Sequence, residues 1–294
     1  GSWTVPASSL SGLVDGAVTV KASVSDVAGN TASASNIDSK DTLATIAISS
    51  DGSGSDHVYN KSESGAAVVS GTTTGVEAGQ TVTVTFTDSA NHVVTTTATV
   101  AANGSWTVPA SSLSGLVDGP VTVKASVSDV AGNTASASNS DSKDTVATIA
   151  ISSDGSGSDH VYNSSESGAA VVSGTTTGVE AGQTVTVTFT DSANHVVTTT
   201  ATVAANGSWT VPASSLSGLL DGPVTVKASV SDVAGNPASA SVSDSKDTTA
   251  TITISSDGSG SDHVYNSSES GAAVVSGTTT GVEAGQTVTV TFTD

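Results

Sequence analysis

Apolar positions along this chain alternate with threonine and serine. In the run 80–87, Val82, Val84 and Phe86 fall on one side, and Thr81, Thr83, Thr85 and Thr87 on the other. A period of two marks a strand with one buried face. Similar runs cover 44–49, 67–72, 80–87, 92–100, 105–110, 121–129 and 134–142, punctuated by Gly, Asn, Asp and Ser. Asn103-Gly104 favours a tight hairpin turn before the fifth run, and Val130-Ala131-Gly132-Asn133 joins the last two. Seven short strands in about a hundred residues predict an Ig-like β-sandwich. Trp106 and Val108 share a face, and Tyr59, Phe86 and Trp106 recur once per repeat, so they are read as core in preference to a sugar-stacking platform.

The pattern repeats every 103 residues: Gly-Ser-Trp-Thr-Val-Pro begins at Gly1, Gly104 and Gly207, and Asp-Gly-Ser-Gly-Ser-Asp-His at Asp51, Asp154 and Asp257. That period suits one autonomous domain per repeat and is too long for a solenoid unit. Lys-Asp-Thr stretches at Asp41, Asp144 and Asp247 mark the boundaries. The expected organisation is the C-terminal part of one module (1–41), complete modules at 42–144 and 145–247, and the N-terminal part of another (248–294). The fold class is all-β, with tandem Ig-like β-sandwich domains in a linear array, at roughly 40 Å per module if strands rise about 3.3 Å per residue.

Composition narrows the chemistry. Aromatics are 3% of the chain, Cys and Met are absent, and all seven basic residues are lysines. Twenty-seven carboxylates leave a net charge of -20, which repels nucleic acid and anionic membrane surfaces and attracts cations. Composition of this kind can mean disorder, but the period-two patterning argues for a folded chain. Without cysteine there is no disulfide framework, so a bound metal is the available staple, and calcium fits an acidic, thiol-free chain. No apolar run is long enough for direct membrane insertion, and no signal peptide opens the sequence.

In a sandwich the chain reverses at each loop, so alternate loops share a pole. Asp41, Glu77 and Asp129 are expected at the leading pole of module 42–144, and the same set recurs as Asp144, Glu180 and Asp232, with Glu283 a further copy of the loop glutamate. Asp51, Asp56, Asp88, Asp118, Asp141 and Asp144 crowd the trailing pole, matched by Asp154, Asp159, Asp191, Asp221, Asp244 and Asp247. Like charges this close repel unless a cation intervenes, and hard oxygen ligands suit calcium better than zinc or copper. All of these acids are metal-ligand candidates, against the alternative of solvated loop charge. The run 51–56 spaces two aspartates around glycine and serine but is not an EF-hand, being too short and lacking the terminal glutamate.

Glu-Ala-Gly-Gln-Thr-Val-Thr-Val, Asn-Gly-Ser-Trp-Thr-Val-Pro, Val-Asp-Gly-Pro-Val-Thr-Val, Ser-Asp-Val-Ala-Gly-Asn-Thr and Lys-Asp-Thr occur here in one fixed order. In that order they resemble the bacterial Ig-like extender repeats of giant RTX adhesins, across the whole chain. The resemblance implies a secreted, bacterial cell-surface rod with calcium ions in and between domains. Its partners would be calcium and the neighbouring identical repeats, with ice or surface contact made by a distal domain outside this sequence. It carries calcium roles to Asp41, Glu77 and Asp129 and to their counterparts one repeat later. Many family members have proline after the loop glutamate and after the Asp-Thr linker, where this chain has Ala78 and Leu43, so its linker leans more on metal for stiffness.

Catalysis is set aside. Asp56-His57 with nearby serines lacks the pocket a hydrolase needs. His57 and His92 are read as loop or surface residues, with transition-metal affinity the lesser reading, and threonine rows such as 95–99 as outward strand faces, not ice contacts. The alternative function is a repeated carbohydrate- or surface-ligand-binding module, disfavoured by short loops with few exposed aromatics.

Overall fold

The computed structural model describes residues 1–294, which divide into two compact units, Gly1–Thr145 and Val146–Asp294. The first opens with an antiparallel hairpin of β1 (Gly16–Ser25) and β2 (Thr31–Lys40). A complete module follows, built of β3 (Thr45–Ser50), β4 (Val58–Tyr59), α1 (Lys61–Gly65), β5 (Ser70–Thr74), β6 (Thr81–Asp88), β7 (Val93–Thr99), β8 (Ser105–Thr107), β9 (Gly119–Ser128) and β10 (Thr134–Lys143). One sheet runs β4-β10-β9-β6-β7 and the other β3-β5-β8. The second unit repeats this plan as β11 (Thr148–Ser153) to β18 (Pro237–Lys246), with α2 (Ser164–Gly168), and then carries β19 (Thr251–Ser256) and β20 (Ser276–Thr280).

The core of each module lies between its two sheets. Val82, Val84 and Phe86 of β6 face Val69, Trp106 and Val108 across from them, with Val121, Val123, Ala125 and Val127 of β9 alongside. Tyr59 meets Phe86 edge-on at 6.1 Å. The threonine-rich β6 buries every second residue, as its pattern predicts.

The seven predicted runs are all present, with shifted ends. The stretch after β3 is more than a loop: β4 pairs in parallel with the end of β10, and α1 starts at an Asn60/Glu63 capping box. That box is legible in the sequence as Asn-x-x-Glu and gives the short helix its start. The second run begins at Ser70 instead of 67, Ala67 making only an isolated bridge to Ser111. The Asn103-Gly104 turn is tight, with Gly104 at φ 80°, but it is not a hairpin within one sheet. It carries the chain from β7 in the larger sheet to β8 in the smaller.

Gly71 is paired with Trp106 across β5 and β8, and the indole lies over it. A Cβ there would collide with the Ala47 carbonyl oxygen and the indole ring. Gly71→Ala is therefore expected to destabilise the first module by about 1–3 kcal/mol, the range for overpacked cores. The check is a lower denaturant midpoint with an unchanged slope.

Candidate metal centres

Three buried aspartates share one origin. Asp88 follows Val82, Val84 and Phe86 in the inward register of β6; Asp129 follows Val121, Val123, Ala125 and Val127 of β9; and Asp141 follows Ala135, Ala137 and Asn139 of β10. The pleat that buries the apolar side chains also turns these carboxylates inward at the strand ends, where each needs donors or a cation.

At the leading pole Asp129 accepts from the backbone N–H and side-chain amide of Asn133, both at 2.7 Å, closing the β9–β10 loop. The Asn133 amide brings the carboxyl down from its ordinary value, against burial. The same Asn133 Nδ2 donates to the Asp41 carbonyl at 3.2 Å, and Glu77 Oε2 accepts from Val130 N at 3.0 Å. Asp41 itself accepts from Leu43 N. The predicted trio thus lies on adjoining loops, tied through Asn133 and Val130. In the second module Glu180 accepts from Val233 N and Asp232 holds Asn236 in the same manner.

At the trailing pole the acids divide by partner. Asp88 accepts from Ala90 N, His92 N, His92 Nδ1 and Val117 N, at 2.8–2.9 Å, and so clamps the β6–β7 turn to the β8–β9 loop. Burial pushes its carboxyl up, but those bonds outweigh it and hold the group at about 2. Asp191 is bound in the same way by Ala193, His195 and Leu220. Asp118 pairs with the buried Lys143 ammonium, which also donates to the Leu116 carbonyl, and it accepts from Thr145. Asp221 pairs with Lys246 and Thr248. These four predicted ligands therefore already have partners as structural clamps and ion pairs. Asp56 and Asp159 are exposed and cap the turns at Val58 and Val161. Asp144 N extends the pairing to the Tyr59 carbonyl, Asp247 accepts from Thr249 N, and Glu283 is exposed.

The remaining acids form compact groups. Asp51, His57 and Asp141 bring ligand atoms within 4.8 Å of one another, as do Asp154, His160 and Asp244. Ser53 Oγ lies 2.8 Å from Asp51 Oδ1 and 3.3 Å from Asp141 Oδ1, and Asn139 Nδ2 donates to Asp51 Oδ2 at 2.6 Å. Burial and the Asp51 charge push the Asp141 carboxyl up; in Asp51 burial is outweighed by Asn139 and Ser53, which bring it down. The sequence singles out none of Ser53, Asn139 and Lys143, and it presents His57 as a loop or surface residue, with transition-metal affinity as the lesser reading. The available signal was the inward parity of β10, where the alanines give way to Asn139, Asp141 and Lys143.

The chain is 36% identical to the tetra-tandem repeat in the extending region of a large adhesion protein, over 84% of this chain and 61% of that one, with a TM-score of 0.34. A Ca2+-stabilized adhesin with which an Antarctic bacterium reaches out and binds ice is 33% identical, with coverages of 90% and 65% and a TM-score of 0.38. A 1.5-MDa bacterial ice-binding adhesin, described for host cell surface retention, is 31% identical, with coverages of 82% and 77% and a TM-score of 0.37. The chain thus spans about three fifths of the first of these structures. No family model and no curated protein matches it.

Asp88, held near 2, adds stability that is complete above the ordinary carboxylate range and is lost as pH falls from about 4 through about 2. The double variant Asp88→Asn/Asp191→Asn should lower the melting temperature at neutral pH and flatten its decline across that window. Parallel melting curves against pH would show that these clamps do not carry the acid sensitivity.

Proposed function

We propose that this chain, which belongs to the family of Ig-like extender repeats of large bacterial adhesins, is a spacer that carries a distal adhesive domain away from the cell surface and is stiffened by calcium. The spacer role is supported by tandem modules of near-identical sequence and by relatives named for extension and adhesion, which point to a structural rather than a catalytic protein. Its place would be outside the cell; no helix is long and apolar enough to cross a membrane. The ice or surface contact would belong to a domain beyond this sequence.

The observation that carries the reading is the leading pole of module 42–144. There the linker residue Asp41 is hydrogen-bonded to the β9–β10 loop, and Glu77 ties the β5–β6 loop to it. Asp41, Glu77 and Asp129 offer oxygen donors alone, the donor set that calcium takes six to eight at a time. Calcium bound there would supply the positive charge that an acidic linker lacks. In a chain of net charge -20 this removes repulsion at the point where one module meets the next. Glu180 and Asp232 repeat the loop arrangement in the second module.

Calcium held at a hundred times its Kd adds about 2.7 kcal/mol per site, enough to raise the melting temperature of a domain this size by roughly 10–20 °C. Melting and small-angle scattering in millimolar calcium and in excess chelator are expected to show that rise with an increased maximum dimension. Both effects should shrink in Asp41→Asn/Glu77→Gln/Asp129→Asn. Identical curves with and without calcium would leave the acids as solvated charge and remove the stiffening role.

A further inference from the structure

The Asp51/His57/Asp141 group differs from the leading pole in chemistry and in its state of satisfaction. Asp141 is 8% exposed, and its Oδ1 meets Ser53 Oγ and His57 Nδ1. Its other oxygen, Oδ2, is buried with no hydrogen-bond partner. The second module repeats this: Asp244 Oδ1 meets His160 Nδ1, and Asp244 Oδ2 is buried and unpartnered. Leaving a buried carboxylate oxygen unpaired is costly, and to do so twice at the same position calls for a ligand. Asp51 deepens the deficit, because the single Ser53 hydroxyl proton cannot serve both carboxylates it lies beside.

The histidine is built into place. His57 and His160 have left-handed backbones, φ 60° and 59°, a conformation disfavoured for any residue with a Cβ. The His57 carbonyl accepts from Ser142 N of β10, which fixes the turn beside Asp141. The imidazole side chain is 68% exposed, so it covers the buried carboxylates from the solvent side and leaves an approach open.

We infer that Asp51, His57 and Asp141, and likewise Asp154, His160 and Asp244, form one site per module for a first-row divalent transition-metal ion of the zinc type. Two carboxylates and an imidazole suit such an ion better than calcium, which prefers oxygen throughout. Three protein ligands leave a position for water on the exposed side. Binding through Nδ1 moves the ring proton to Nε2, and the ion takes the place of the hydrogen bond to Oδ1. It would pin the β3–β4 segment to β10 in a domain without disulfides. The two sites differ in one neighbour: Asn139 holds Asp51 Oδ2, whereas Val242 stands at the equivalent position beside Asp154 and offers no such bond. The second site therefore has the freer carboxylate and should bind more tightly.

The inference stands apart from the calcium reading and is tested with calcium already present. Zinc is titrated calorimetrically into the whole chain in millimolar calcium, with nitrogen resonances of the histidine rings followed by NMR. The expected result is two sites of unequal affinity, with the Nδ1 signals of His57 and His160 moving and those of His92 and His195 unmoved. His57→Asn/His160→Asn should weaken zinc binding by at least about tenfold, the lower end of what disturbing a metal site usually costs. That variant should keep the calcium-dependent rise in melting temperature. Unmoved His57 and His160 signals in the unaltered chain, or full zinc affinity in the variant, would overturn the inference and leave the calcium reading intact. Loss of the calcium effect with zinc binding retained would do the reverse.

Discussion

The inward register of the long strands is the constraint from which most of this structure follows. Once Val82, Val84 and Phe86 are committed to the core, Asp88 must point the same way, because side chains alternate strictly along a strand. The same parity buries Asp129 at the end of β9 and Asp141 on β10. The acidity of the chain is thus not confined to its surface. Part of it lies at the two ends of each core, where water cannot neutralise it and the protein must supply donors or cations.

Each buried acid meets this demand differently, and the differences sort the poles by chemistry. Asp88 is saturated by backbone and imidazole donors, and the exposed Asp118 is itself the partner of a buried lysine; these tie loops together and depend on nothing outside the chain. Asp129 closes its own loop through Asn133, which reaches on to the linker. Asp141, like its counterpart Asp244 in the second module, retains an unmatched oxygen. Each complete module therefore has clamps inside it, oxygen-rich loops at one end, and a nitrogen-containing cluster of acids elsewhere.

Identical segments with different structures separate local from tertiary causes. Thr-Val-Thr-Val-Thr-Phe-Thr-Asp is an eight-residue strand at β6 and at β14 (Thr184–Asp191), yet 287–294 forms no strand, and Phe292 is 63% exposed where Phe86 is fully buried. Trp106 is 2% exposed and Trp3, in the same hexapeptide, 72%. In each complete module β6 is flanked by β7 and β9, and β8 is paired with β5; around 287–294 and Trp3 the chain has no equivalent strands. Alternation makes a segment able to be a strand, but ladder partners and an opposing sheet make it one.

The sequence by itself therefore determined the all-β class, the 103-residue repeat, the strand runs and their inward faces. These follow from period and spacing, both of them local or counting properties. Only the tertiary structure decided which acids pair with Lys143, His92 or Asn133, that β4 pairs with β10, and that His57 lies against Asp141. Those outcomes depend on contacts between residues up to 92 positions apart. Period and spacing carry no information about such contacts, because the energy that selects them exists only when both strands are in place.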